Sequence, residues 1–188
     1  MHSKTRYNIK LSERKGVKIK QEKNIDIFWE LNKETTNRDG FKSHDKKYYE
    51  KMLGSNIIHQ FTAYMDDAPI ASNICVGFRD TFTYLHGTSG NCHRSLMAPY
   101  LLQSKQIEYA KENNFTKYDF WGIAPKNEGK LQTIFHDLSW DLDNKWTGIT
   151  RFKAGFGGER KNYPNGLEIV LNPTKYKLYK LAKKIRKN

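Results

Sequence analysis

Apolar positions between residues 3 and 54 repeat at intervals of three and four, the spacing of helices that bury one face. The pattern predicts a short basic helix from Ser3, its capping residue, to about Lys15, with Gly16 at the left-handed position that ends it. Val17–Lys20 alternates and predicts a strand. Two further helices are expected, from Asn24 to about Asn37 and from about Tyr48 to Leu53.

Alternating segments rich in β-branched and aromatic residues follow in the centre of the chain. They predict three strands of an antiparallel meander, over Ile57–Met65, Pro69–Arg79 and Thr81–His86. Asp66-Asp67 supplies the first turn, and Gly87–Asn91 ends the third strand.

A helix and a strand are expected directly after the meander. Pro99 suits the first turn of a helix that runs to about Asn113, and Lys117–Trp121 predicts the next strand. The last third predicts a helix over Asn127–His136, extended segments over Gly148–Phe152 and Leu167–Leu171, and a final helix that begins at Asn172-Pro173.

This order of elements, a meander followed by a β-α-β unit and a further strand, is that of the GNAT (acyl-CoA N-acyltransferase) fold. We therefore expect an α/β protein with a single GNAT-like domain, in which helices flank a mixed, mostly antiparallel central sheet. Residues 24–188 would form that domain, and residues 1–23 a basic helix and strand before it. Other mixed-sheet folds share the order, so it says little about chemistry.

The composition is that of a folded protein outside the membrane. Of the 188 residues, 37% are hydrophobic and 13% are aromatic, more aromatic side chains than an unfolded polar chain carries. No apolar run approaches the ~18 residues that a membrane-spanning helix needs, and residues 1–23 are too charged for a signal peptide. Cys75 and Cys92 are too few for a disulfide framework, so we expect a cytoplasmic protein.

The net charge of +13 is concentrated at the two ends of the chain. Residues 1–23 hold 8 Lys/Arg and 2 Glu, residues 173–188 hold 7 Lys/Arg and no acid, and the 149 residues between them hold 18 of each sign. Such ends attract an anionic partner, which could be an RNA backbone, a phosphorylated small molecule or an acidic lipid surface. A merely solvated surface is the alternative interpretation.

Several familiar chemistries find no support in the sequence. GNAT enzymes that use acetyl-CoA hold its pyrophosphate on a glycine-rich turn before a helix, but the matching segment here, Ser89–Tyr100, is bulky and contains Pro99. No Walker or G-x-G-x-x-G sequence occurs. His86, Cys92 and His93 lack the further ligands that a metal site needs.

A glycine-rich segment, Arg151–Glu159, stands out near the end of the domain. Its three glycines in four positions permit positive φ and the close approach of a ligand. If the preceding strand is regular, Phe152 and Lys153 point to opposite faces, and Lys153 beside an aromatic wall could stabilise an oxyanion when an amine attacks an ester. A bulged strand end with an exposed lysine is the alternative.

At these residues the chain resembles the Fem family of peptidoglycan bridge-forming aminoacyltransferases, and specifically its second GNAT-like half. The matching segments, in chain order, are Ser3–Ile9, Arg94–Gln103, Tyr118–Ile123, Arg151–Gly158 and Leu171–Pro173. The resemblance implies transfer of an amino acid from aminoacyl-tRNA to an amine on the stem peptide of lipid II or of its UDP-linked precursor. Because that donor is an activated ester, no cofactor is expected.

The resemblance also implies roles for individual residues. Lys153 would hold the tRNA 3′ end or the developing oxyanion, and Phe152 would line the channel; both are taken as catalytic. Tyr100 matches a tyrosine that contacts the precursor, although an ordinary core aromatic is an equal alternative, and Asp119 would orient a neighbour or serve only the strand end. The predicted substrate-binding residues are Tyr100, Arg151, Arg94, Asp119, Trp121, Gly155 and Gly157.

Family members have two such domains with the precursor between them, and this chain has room for one. A separate or missing first GNAT-like domain is therefore an expected partner, besides aminoacyl-tRNA, the lipid II or UDP-linked precursor and an anionic membrane surface at the inner face of the membrane. Two alternatives remain open: a non-catalytic module that binds RNA or another anionic ligand, and a CoA-dependent N-acetyltransferase.

Overall fold

The computed structural model of the protein describes residues 1–126, 132–135, 138–164 and 166–185. The chain divides into two compact units, Met1–Gly158 and Glu159–Asn188. Each unit is described by itself below.

A five-stranded sheet forms the centre of the first unit. Its strands lie in the order of the chain, β1-β2-β3-β4-β5. They are β1 (Lys18–Gln21), β2 (Ile58–Met65), β3 (Ala68–Phe78), β4 (Thr81–Ser89) and β5 (Lys117–Asp119). The first four strands pair antiparallel, and β5 joins β4 in parallel. The predicted α/β class with a mixed, mostly antiparallel sheet is confirmed.

Helices cover the sheet, and their ends follow local capping rules. The helices before the meander are α1 (Ser3–Arg14), α2 (Ile25–Asp39) and α3 (Lys46–Leu53). The side chain of Asn24 accepts from two amides of the first turn of α2, and Gly40 ends that helix at a φ of 67°. The predicted cap at Ser3 is wrong by one residue, because the His2 side chain accepts from the Lys4 amide.

Two hydrophobic cores lie on opposite faces of the sheet, because successive strand residues alternate between the faces. One core joins α1 and α4 (Ala98–Glu112) to the sheet, and Leu101, Leu102 and Phe82 are its most buried large side chains. The other joins α2 and α3 to the sheet around Phe28 and Ile74.

Two predictions for the last third of the first unit are wrong. In place of a helix over Asn127–His136, Gln132–Phe135 forms β6, which pairs with β7 (Leu138–Asp141); residues 127–131 and 136 lie outside the described residues. In place of an extended segment over Gly148–Phe152, α5 spans Thr147–Ala154. Thr150, Lys153 and Ala154 are its buried residues, at the three- and four-residue spacing of one helix face.

Two strands also differ in length from their predicted bounds. β4 continues to Ser89, three residues beyond the predicted end, and β5 stops at Asp119 instead of Trp121. Trp121 has a φ of 62°, in the left-handed region that a regular strand does not use. Both differences affect the candidate site described below.

The second unit contains the last helix, α6 (Pro173–Ile185). Asn172 caps it through a hydrogen bond from the Lys175 amide, as predicted from Asn172-Pro173. The predicted extended segment Leu167–Leu171 lies in no strand. None of the described helices of the chain combines the length and the apolar character that crossing a bilayer requires.

Candidate active site

A gap beside β4 positions the candidate site. β4 and β5 pair only from Thr81 to Thr83, so the last six residues of β4 have no strand partner on that side among the residues described. The chain leaves β5 in a tight turn, in which the Asp119 carboxylate accepts from the amide of Trp121 at 2.7 Å. This turn carries Gly122 past the open side of β4.

Lys153 extends from α5 toward this turn. It is 7% exposed, and its ammonium Nζ donates to the Gly122 carbonyl at 2.7 Å. The same atom lies 5.5 Å from the centre of the Tyr84 ring on β4. Burial lowers the pKa of Lys153 to about 8, and the negative charge of Asp119 opposes that shift.

This environment leaves Lys153 charged and only partly engaged. With a pKa of about 8, roughly nine in ten side chains are protonated at pH 7. An ammonium has three N–H donors, and Gly122 uses one of them. The remaining donors can stabilise an oxyanion, and a site with little water makes that interaction stronger.

A cavity of about 200 Å³ opens between the ends of the meander and the start of α4. Tyr100 and Phe152 form an aromatic wall, with ring centres 4.9 Å apart in an edge-to-face arrangement. Arg94 and His93 add polar side chains with N–H donors to the lining. The other lining residues are Ile70, Ser89, Gly90, Cys92, Met97, Ala98 and Pro99.

Local backbone geometry forms the wall of this cavity between β4 and α4. His93 and Met97 adopt left-handed φ values of 61° and 56°, on either side of a single 3₁₀ turn over Arg94–Leu96. From the other side, Arg38 of α2 donates to the Ser89 carbonyl and to the Asn91 side chain, both at 2.9 Å. The segment is therefore fixed at both ends and presents side chains where a phosphate turn would present bare amides.

The structure divides the predicted site residues into two neighbouring groups joined by α5. Phe152, Tyr100 and Arg94 line the cavity, whereas Lys153 and Asp119 lie at the gap beside β4. The remaining two large side chains are more peripheral: Trp121 is 60% exposed, and the Arg151 guanidinium lies 5.7 Å from the centre of the Phe135 ring.

The two predicted glycines contact the start of the chain. Gly155 has a helical φ of −60°, and a Cβ atom there would lie 2.4 Å from the hydroxyl of Thr5 in α1. Its carbonyl accepts from the His2 amide at 2.8 Å. Gly157 has the predicted positive φ, 90°, and its neighbour is the amino terminus of Met1. At both glycines, the groups that approach closely belong to the first five residues of the protein.

Sequence reasoning did not select Tyr84 or the backbone of Gly122. In the sequence, Tyr84 is one of several aromatic residues in a predicted strand. The nearby feature that relates to it is Gly87, where a Cβ atom would lie 1.8 Å from the Tyr84 hydroxyl. The sequence offers Cys92 and His93 only as candidate metal ligands, yet both line the cavity.

Comparison with known proteins gives a family and several relatives. The sequence model of the FemAB family matches residues 1–56 and 55–184. The chain is 25% identical over 122 residues to Aminoacyltransferase FemA of Staphylococcus epidermidis, a match that covers 65% of this chain and 26% of that protein. It is 28% identical over 103 residues to the Lipid II:glycine glycyltransferase of the same species, covering 55% and 21%. The chain thus spans about a quarter of the length of these relatives.

Solved structures agree on the fold. A crystal structure of FemX superimposes with a TM-score of 0.71 at 17% identity, over 83% of this chain and 54% of that one. A possible acetyltransferase from Clostridium difficile 630 gives 0.56 at 10% identity, over 81% and 97%. At these identities the structural similarity supports the GNAT-like fold and gives no information about the reaction.

Proposed function

The chain belongs to the FemAB family, and on that premise we propose that it is the part of an aminoacyltransferase that moves an amino acid from aminoacyl-tRNA to an amine of a peptidoglycan precursor. Its relatives are named as an aminoacyltransferase and as a lipid II:glycine glycyltransferase. Lipid II or its UDP-linked form is accordingly the proposed acceptor.

The observation that carries the proposal is the buried ammonium of Lys153. In the transfer, the acceptor amine attacks the ester carbonyl carbon, a C–N bond forms, and the carbonyl oxygen becomes an oxyanion. The C–O bond to the tRNA ribose then breaks, the ribose oxygen takes up a proton, and the new ammonium loses one to solvent. Lys153 would stabilise the oxyanion through the donors that Gly122 leaves free.

The cavity next to this lysine suits the end of the donor. A planar terminal base can stack on the aromatic wall of Tyr100 and Phe152, and Arg94 can meet a phosphate. The segment from Cys92 to Pro99 has bulky side chains and two left-handed residues where a coenzyme pyrophosphate would need consecutive free amides. This geometry favours a nucleic acid end over CoA.

The proposal includes a second, separate domain. The FemA relative is about 2.5 times as long as this chain, since the 122 matched residues are 26% of it. We propose that a first GNAT-like domain completes the acceptor site, and that the assembly works at the inner face of the membrane. Transfer by this chain is then expected to need that domain.

A transfer assay tests the proposal. Radiolabelled aminoacyl-tRNA and a stem-peptide acceptor are incubated with the 188-residue chain, with and without the first domain. Replacing Lys153 by Ala is expected to slow transfer by about 10²–10³-fold, the usual loss for one oxyanion donor. Lys145→Ala, which removes an exposed lysine just before α5, is the matched control. Undiminished transfer by the Lys153→Ala chain contradicts the assignment.

Thiol labelling gives a second readout that does not need activity. Cys75 is fully buried, whereas Cys92 is exposed and lines the cavity, so a thiol reagent should modify Cys92 alone. A non-hydrolysable aminoacyl-adenosine is expected to slow that labelling, and Cys92→Ser verifies the site. Protection by acetyl-CoA instead would favour an N-acetyltransferase, and RNA binding without transfer or protection would favour a non-catalytic module.

A further inference from the structure

The outer face of α1 carries a row of cations. Arg6, Lys10 and Arg14 are exposed and lie four residues apart, so they follow one another along the helix at about 6 Å per step. Tyr7, 57% exposed, lies beside them. The opposite face packs into the protein through its buried residues, Thr5, Asn8, Ile9 and Ser12. Arg6, Lys10 and Arg14 are called the α1 stripe below.

The charge of the α1 stripe is not neutralised within the described ranges of the chain. The one acidic residue of α1, Glu13, lies 4.0 Å from Lys105 of α4 and so faces another cation. Arg6 donates to the carbonyl of Met1, a neutral group. No ion pair in the described ranges involves a member of the stripe. The three charges are therefore available to an anionic partner.

The stripe begins beside the candidate active site. The His2 amide donates to the carbonyl of Gly155, and Thr5 packs on the same glycine. Gly155 directly follows α5, which carries Phe152 and Lys153. The first turn of α1 is thus fixed to the helix of the proposed catalytic lysine, and the twelve residues of α1 lead away from it over roughly 18 Å.

We infer that the α1 stripe binds consecutive phosphates of the RNA donor, next to the end whose ester reaches Lys153. This inference rests on the proposed function and names how that donor is held. A nucleic acid strand presents phosphates in a row, whereas a small phosphorylated ligand seated at Lys153 does not extend along the roughly two helical turns from Arg6 to Arg14. Tyr7 can stack on a base or sugar beside the cations.

An anionic membrane is the competing partner for a basic helix, and the residues of α1 argue against it. A helix that lies in the membrane interface needs an exposed aliphatic face to insert below the headgroups. In α1 the aliphatic side chains Ile9 and Leu11 are buried and half-buried, and the exposed face holds cations and one tyrosine. RNA is therefore the partner that the stripe fits.

Binding of a labelled tRNA acceptor-stem hairpin to the 188-residue chain, followed by fluorescence anisotropy at several salt concentrations, tests the inference. The stripe variant is Arg6→Gln, Lys10→Gln and Arg14→Gln in one chain. The control variant, Lys42→Gln, Lys47→Gln and Lys51→Gln, loses the same net charge from exposed positions in or beside α3. Thermal unfolding of both variants verifies that they fold.

The stripe variant is expected to bind the hairpin at least about tenfold more weakly at 0.1 M salt, with a log–log salt slope lower by about 2 to 3, since each lost phosphate contact removes about 0.7 to 0.9. The control variant is expected to keep the affinity and slope of the original chain. Equal losses in both variants, which mean binding through net charge alone, would overturn the inference. So would a stripe variant that loses only affinity for anionic lipid vesicles.

The assay separates this inference from the proposed function. A loss of RNA affinity confined to the stripe variant supports the inference even when no condition yields transfer. Transfer with undiminished RNA affinity in the stripe variant overturns it and leaves the proposed function standing. Lys145→Gln serves as the internal reference, since this exposed lysine just before α5 lies outside the proposed site and its loss is expected to keep both the hairpin affinity and transfer.

Discussion

The buried ammonium of Lys153 should cost the protein stability. Its pKa falls from 10.5 to about 8 in the folded state, and each pKa unit corresponds to about 1.4 kcal/mol, so the charge costs about 3 kcal/mol at neutral pH. Lys153→Met removes that charge and loses one hydrogen bond, worth about 1 kcal/mol. We predict that Lys153→Met raises the free energy of unfolding at pH 7 by about 1–2 kcal/mol, measured by urea denaturation.

The pH dependence of that difference identifies its cause. Between pH 8 and 10.5 the unfolded chain holds the Lys153 proton and the folded chain has released it, so the stability of the original protein rises with pH relative to the variant. The advantage of Lys153→Met should therefore be full at pH 7 and largely gone at pH 10. A variant that is less stable by the same amount at both pH values would show that Lys153 serves packing and not chemistry.

The junction between α5 and α1 gives a prediction about a single methyl group. In Gly155→Ala the added Cβ would lie 2.4 Å from the Thr5 hydroxyl, so the Thr5 side chain or the backbone at this junction must shift. The expected loss is about 1–3 kcal/mol in the free energy of unfolding. Gly148→Ala is the matched control, because nothing lies within 4 Å of that position and a helix favours alanine by up to about 1 kcal/mol.

Thr5 provides the second arm of the same experiment. Thr5→Ala removes the hydroxyl that the new methyl group would meet, so the double variant should recover part of the loss, measured as a coupling between the two sites. Losses that simply add would mean that Gly155 is required for another reason.

At the scale of elements, the end of α2 holds the end of β4. The hydroxyl of Thr35 accepts from the Ser89 amide at 2.9 Å and lies 3.0 Å from the Ser89 carbonyl. Thr35→Val keeps the shape and removes both contacts, which leaves the Ser89 amide without this partner at an expected cost of about 1–3 kcal/mol. Because Ser89 lines the cavity, thiol labelling of Cys92 should also become faster.

Thr36→Val is the control for that prediction. The hydroxyl of Thr36 is exposed and bonds only to Lys33 in its own helix, so the change should alter stability by less than about 0.5 kcal/mol. Cys92 labelling that is equally fast in both variants would show that α2 does not hold the cavity.

A comparison of α2 with α5 shows which structural features the local sequence predicts. Asn24 and Gly40 fix the ends of α2 by their own side-chain and backbone chemistry, and the sequence predicts the start at Asn24 and an end close to the observed one, at about Asn37. In α5, by contrast, Gly148–Phe152 is too short to separate a helix from a strand by spacing. The helix also makes a contact with another part of the chain: the buried Thr150 hydroxyl accepts from the Ala124 amide at 2.8 Å. No local signal carries that contact.

For the whole molecule, local sequence patterns likewise predict the fold but not the site, which depends on contacts between distant parts of the chain. The meander and its helices follow from alternation and capping, so the α/β class could be predicted. The glycine-rich segment and the resemblance both indicate Lys153, but the Gly122 carbonyl that accepts from it lies in the turn after β5, which ends at Asp119. Its helical setting, its depressed pKa and its separation from the cavity could not be read from residues 151–159 alone.

The two compact units lead to the last prediction, which concerns residues 159–188. Among the described residues, neither hydrophobic core extends beyond Phe156, and none of the residues of α6 is buried. A chain that ends at Gly158 should therefore unfold cooperatively, with a thermal midpoint within about 4 °C of that of the full chain, which circular dichroism can measure.

The shortened chain should also associate less with itself, because Leu167, Ile169 and Leu171 are 85–94% exposed in the full chain.

The shortened chain also distinguishes the contribution of the N-terminal cations to binding from that of the C-terminal cations. It keeps the α1 stripe and loses every cation of α6, so its affinity for the RNA hairpin should change far less than that of the stripe variant. Binding to anionic vesicles should instead weaken more in the shortened chain than in the stripe variant. The reason is that α6 places Leu178, Leu181 and Ile185 on one exposed face and lysines on the other. Failure of the shortened chain to fold would contradict the prediction.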